Sequence, residues 1–110
     1  LNLLNDPTYV EAARFLAQRM MNEGGSTEET RLIAGFRLLL SRPPSSAELK
    51  VLRAAYERAR VDFNKDTEAA KSLLAVGSAG FDAKLNLAEL AAYTTVASTL
   101  LNLDEAVTKE

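Results

Sequence analysis

The segment from Glu89 to Glu105, ELAAYTTVASTLLNLDE, is the most apolar long stretch of the chain and constrains the fold more than any other feature. Leu87, Leu90, Ala91, Thr94, Ala97, Leu100 and Leu101 recur at spacings of three and four, which lays them along one broad stripe of an α-helix. Such a helix needs other helices to cover it. None of its residues is a chemical reagent, so the segment predicts a core strut and no activity.

The rest of the chain supplies the partners. Asp6-Pro7 reads as a helix start, because the aspartate accepts from first-turn amides and proline costs nothing at the first helical position. The first helix is expected from Pro7 to about Asn22, with Val10, Ala13, Leu16, Ala17, Met20 and Met21 inward and Glu11, Arg14, Gln18 and Arg19 toward water. Leu3 and Leu4 are expected to fold back onto the core. Gly24-Gly25 stops this helix. Ser26 and Glu29 have the spacing of a capping box for a second helix to about Ser41, inside which Gly35 predicts close approach of a neighbour. Arg42-Pro43-Pro44 breaks the chain, and Ser45 with Glu48 restarts it.

The third helix, about Ser46 to Phe63, is expected to turn Leu49, Leu52, Ala55, Tyr56, Ala59 and Phe63 inward and to keep Lys50, Arg53, Glu57, Arg58 and Arg60 outside. Asp66 caps a short fourth helix to about Ala75. Gly77 to Lys84 is the one long irregular link, and Asn86 with Glu89 opens the last helix, which is expected to end at Asn102-Leu103. Short links favour antiparallel neighbours. The fold class is therefore all-α: a compact bundle of about five helices, without a sheet, in a single domain over residues 1–110.

Composition excludes more than it assigns. The 110 residues are enough for one core without metal or disulfide staples, and 47% hydrophobic with 25% charged residues is ordinary for a globular chain. A formal charge of −2 argues against a nucleic-acid footprint. No apolar run has the length of a membrane span. With no cysteine and no histidine, the chain lacks thiolate nucleophiles, haem attachment, the commonest general base and the commonest transition-metal ligand. No cofactor is expected. Leu1 stands where an initiator methionine would, and no signal-peptide pattern follows, so a piece of a longer protein is expected.

Three stretches carry a resemblance. LNDPTYVEAAR from Leu4, AGFRLLLSRPP from Ala34, and Glu89 to Glu105 resemble the closing part of the planctomycete-specific PSD-one family, a domain of unknown function. The similarity covers almost the whole sequence in order. Ser41 is a departure, since glycine is expected before Arg-Pro-Pro, and it suggests a helix end that needs no left-handed residue. The resemblance implies a C-terminal fragment of a multidomain protein that carries cytochrome-c-like domains upstream, in the periplasm or at the cell surface. The partners it implies are those upstream domains or a surface protein. It supplies no catalytic residues.

Two constellations are candidate sites. If the helices alternate in direction, Asn5, Asp6, Asn102, Asp104 and Glu105 converge as oxygen ligands of the kind calcium accepts; the competing reading makes Asp6 and Asn102 helix caps and leaves the acids solvated. Arg37 and Arg42 at the end of the second helix offer two guanidinium groups to an anion, or simply complement the helix dipole, with Arg42 also placed to pair with Glu48. Adjacent acids such as Glu28-Glu29 and Asp104-Glu105 suggest glycosidase carboxylates only superficially, because neighbours on a helix point apart. The methionines and phenylalanines are expected in the core. The sequence thus predicts a non-catalytic structural or interaction module, the alternative being the helical part of an enzyme, in a haem-linked redox or polysaccharide-degrading system, whose active site lies mainly upstream.

Overall fold

The computed structural model describes residues 6–77 and 80–108, with side chains to Asp104 at the C-terminal end. Five helices follow one another: α1 (Pro7–Glu23), α2 (Glu28–Leu40), α3 (Ser46–Lys65), α4 (Thr67–Leu74) and α5 (Leu87–Thr108). Local caps account for most of the starts. Asp6 accepts from the amides of Thr8 and Tyr9, at 3.0 and 3.4 Å. Ser45 and Glu48 form the expected reciprocal box, Asp66 accepts from Ala69 at 3.0 Å, and Asn86 accepts from Glu89 at 3.0 Å. The start of α2 corrects the sequence reading. Thr27, not Ser26, is its cap, and its box partner is Thr30 rather than Glu29. Glu28 and Glu29 now open the first turn, where the helix dipole favours acids.

α5 is the central element, in contact with each of the other four. It is buried almost all the way round: Leu90, Ala91, Ala92, Tyr93, Thr94, Val96, Ala97 and Leu100 are each 1% exposed or less, so the predicted stripe widens to nearly the whole circumference. A threonine survives there because Thr94 Oγ1 donates to the Leu90 carbonyl at 2.7 Å. The helix also runs past the expected stop at Asn102-Leu103 to Thr108. Nothing between Asp104 and Thr108 is a glycine or proline that would end it.

Helix directions follow from side-chain neighbours. A Cβ on Gly35 would lie 2.6 Å from Met20 Sδ, and Gly24 lies against Arg31 and Ala34, so α1 and α2 run antiparallel with the close approach that Gly35 predicts. Tyr56 of α3 stacks on Tyr93 of α5 with ring centroids 4.2 Å apart. Phe36, Leu52 and Leu103 meet at one end of the bundle, while Glu28, Asn64 and Glu89 meet at the other. α2 and α5 therefore point the same way, and α1 and α3 the opposite way. The Cα radius of gyration, 13.0 Å, is that of a close-packed chain of this length.

Several inward and outward assignments change. Arg14 is completely buried, not solvated; its Nη1 donates to the carbonyls of Leu74 at 3.0 Å and Val76 at 2.8 Å, where α4 ends. Gln18 is half-buried and its Oε1 accepts from the Asp82 amide at 2.6 Å. Together they tie the α4–α5 link to α1. Ala55 is exposed rather than inward, and Phe15 and Phe81, expected in the core, are 54% and 37% exposed. Ser41 has φ 59°, a left-handed residue after all: its amide bonds to the Arg37 carbonyl and closes α2 as a glycine would. Leu3 and Leu4 lie outside the described residues.

Candidate functional site

Where α2 begins, α3 ends and α5 begins, the three helices leave a cleft of about 350 Å³. Ser26, Glu28 and Arg31 enter it from the α2 side, Tyr56, Glu57, Arg60 and Asn64 from α3, and Asn86, Glu89 and Tyr93 from α5. The floor is the stacked Tyr56–Tyr93 pair, with the Arg31 guanidinium carbon 5.9 Å from the Tyr93 ring centroid. Burial pushes both phenols upward from their ordinary value, so they stay protonated throughout the physiological range.

The charges around the cleft are mostly paired. Arg60 Nη2 lies 2.9 Å from Glu57 Oε2, and this bond holds the Glu57 carboxyl below the usual range. Arg31 Nη1 lies 3.9 Å from Glu89 Oε1, and Arg31 Nε donates to the Gly25 carbonyl at 3.0 Å. Glu28 differs. Its Oε1 is buried with no hydrogen-bond partner, and its carboxyl is pushed up, first by burial and then by the neighbouring Glu57. The cleft thus sets a carboxyl held above its ordinary range beside one held below it.

The sites expected from sequence fare differently. The helix directions bring the start of α1 and the end of α5 to the same end of the bundle. Asp6 there is exposed and capping α1, and Asn102 is exposed on the extended α5. Asn5 and the side chain of Glu105 lie outside the described residues, and no group of three or more acidic side chains that could hold a metal ion occurs among those described. Arg42 pairs with Glu48 through two parallel bonds of 2.8 and 3.0 Å and stacks 4.9 Å over Phe36, while Arg37 is exposed in the last turn of α2. The pair also holds the Glu48 carboxyl down to about 2, helped by the Ser45 amide.

Sequence reasoning missed the cleft. Glu28, Glu57 and Glu89 lie on three different helices, and helical periodicity had placed Glu57 on the solvent face. The one available signal was Glu28 in a first helical turn.

A second concave surface is apolar. Ala54, Ala55, Ala59 and Phe63 of α3, with Thr95 of α5, line a groove of about 700 Å³ bordered by Arg58 and Asp62. Toward the other end of the bundle, Ala47, Val51, Thr99 and Leu103 line a further hollow between the same two helices, of about 320 Å³. Val51 is 68% exposed and Leu103 42%. This is the more extensive apolar surface; Phe15 on α1 and Phe81 beside the Gln18–Asp82 contact add smaller exposed faces.

The molecule is thus an all-α domain in which no described helix is long and apolar enough to cross a membrane. The model of the family PSD1, protein of unknown function (DUF1553), matches residues 1–56, from the chain's first residue into α3, and the chain belongs to that family. No curated protein and no solved structure matches it. The family match covers Leu4 to Arg14 and Ala34 to Pro44, two of the three stretches that carry the resemblance; Glu89 to Glu105 lies beyond it.

Proposed function

We propose that this domain is a non-catalytic interaction module of a larger exported planctomycete protein, docking through the α3–α5 groove onto an upstream domain of the same polypeptide, in the periplasm or at the cell surface. The observation that carries this reading is the one-sidedness of α3. Of its twenty residues only Leu52, Tyr56 and Ala59 are buried, and Val51, Ala54 and Ala55 stand uncovered beside Thr95 and Thr99. Small residues along a groove let a second helix backbone approach closely, and large exposed aliphatics mark contact surfaces. The test is a photo-reactive residue at Val51 of the intact protein, with a control at exposed Arg19. Cross-links from position 51 to upstream peptides of the same chain support the reading; equal, scattered yields at both positions reject it.

The cleft favours a second reading, in which the domain is the helical part of an enzyme whose active site lies mainly upstream, in a haem-linked redox or polysaccharide-degrading system. A carboxyl pushed above its ordinary range in a cleft is the kind of group general acid catalysis uses. Glu28→Gln in the intact protein separates the two: loss of turnover with unchanged assembly favours the enzyme, and unchanged turnover favours the module.

A further inference from the structure

The first turn of α2 faces α3 across the cleft at Glu28 and Glu57, and Glu28 Oε1 is buried there without a hydrogen-bond partner. An ionised carboxylate can only accept hydrogen bonds, so a buried oxygen without a donor is a costly arrangement for the anion. The same side chain as a carboxylic acid has a proton to give, and Glu57, which lines the same cleft, is the neighbouring acceptor. Glu57 is fitted to that role because Arg60, 2.9 Å away, keeps it ionised.

We propose that Glu28 and Glu57 share one proton across the α2–α3 seam, making this end of the bundle a pH-sensitive joint that loosens when the proton leaves. The groups facing Glu28 set its balance. From α3, Arg53 and Arg60 favour its anion, while Glu57 disfavours it. From α5, Glu89 is engaged by Arg31 of α2 itself, and the Tyr56–Tyr93 floor stays neutral. Burial and Glu57 prevail, and the Glu28 carboxyl is held above its ordinary range.

The sign follows. Because the folded Glu28 value is raised, its contribution is complete below the unfolded value and is lost as pH rises through the folded one. Glu57 is depressed, so its contribution is lost as pH falls through its own folded value. The joint is tightest between the two. Above that window the start of α2 carries an uncompensated negative charge against α3, and the cleft widens.

The experiment is a titration of the glutamate side-chain carboxyl carbons by NMR, on the folded protein and in urea, beside thermal melts of the wild type, Glu28→Gln and Glu57→Gln. The expected result is a folded Glu28 midpoint above its own value in urea, together with faster amide exchange from Glu28 to Arg31 above that midpoint. The wild-type melting temperature should fall across that same pH range, and Glu28→Gln should lack the fall. Glu57→Gln should bring the Glu28 midpoint down. A Glu28 midpoint at or below its urea value overturns the proposal, as does a Glu28→Gln melt that keeps the wild-type fall. The wild-type titration decides the matter even if a variant fails to fold.

Discussion

α5 and α3 are close in length and differ in almost everything else. α5 is covered on nearly every side as far as Leu100, tolerates a threonine there by bonding its hydroxyl back to the helix, and carries no unpaired charge along its buried length. α3 fully buries three side chains of twenty, with Leu49 and Phe63 partly covered, yet it supplies Tyr56 to the core and lines both the polar cleft and the apolar groove. Burial, and with it stability, is concentrated on one helix of this fold. The central helix holds the domain together, and the peripheral one has a face to spare.

The sharpest way to break this contrast is to truncate each helix in turn. Leu90→Ala, at a fully buried position, is expected to cost about 2–5 kcal/mol, whereas Val51→Ala should stay within about 0.5 kcal/mol, both read from urea unfolding. Comparable losses at the two positions would remove the distinction. A smaller effect tests how α4 is tied in. Arg14→Ala leaves the Leu74 and Val76 carbonyls without their donor and should cost about 1–3 kcal/mol, with amide exchange accelerated in α4 before α5.

Ser41→Gly should instead stabilise the domain by about 1 kcal/mol, because the residue sits in the left-handed region that penalises a Cβ. An unchanged or lowered unfolding midpoint would contradict the cap geometry. The smallest expected effect is at Glu48. Its folded value is depressed to about 2, so its contribution is present above the unfolded carboxylate value and is lost as pH falls toward about 2. Glu48→Gln should flatten that acid limb of the melting curve slightly, since the pair with Arg42 is exposed and screened.

What could be read in the sequence was what is local. Asp6, Ser45, Asp66 and Asn86 each cap the helix expected of them, because the capping bond spans only two or three residues. Gly35 likewise announced the approach of Met20. The mistakes arise where a local rule had a competitor. Ser26 and Glu29 had the right spacing, but Thr27 and Thr30 had it too, one residue on. Arg14 looked solvated by residue type, although it lies four residues after Val10 and three before Ala17 on the inward stripe; burial was decided by two distant carbonyls that no pattern in α1 reveals. Ser41 showed the converse, a conformation fixed by the helix end rather than by its side chain. The cleft was beyond reach for a different reason: its carboxyl groups are contributed by three helices, and only their packing brings them together.

The docking of α3 can be tested within a single molecule by carbene footprinting of the intact protein in its native state. Val51 and Val61 share one helix and one chemistry, and in the domain itself Val51 is the more exposed, 68% against 41%. If the α3–α5 groove is covered by an upstream domain, Val51 and Leu103 will be labelled less than Val61. Labelling of Val51 above Val61, in the order their exposure dictates here, would show an open groove and contradict the interaction reading.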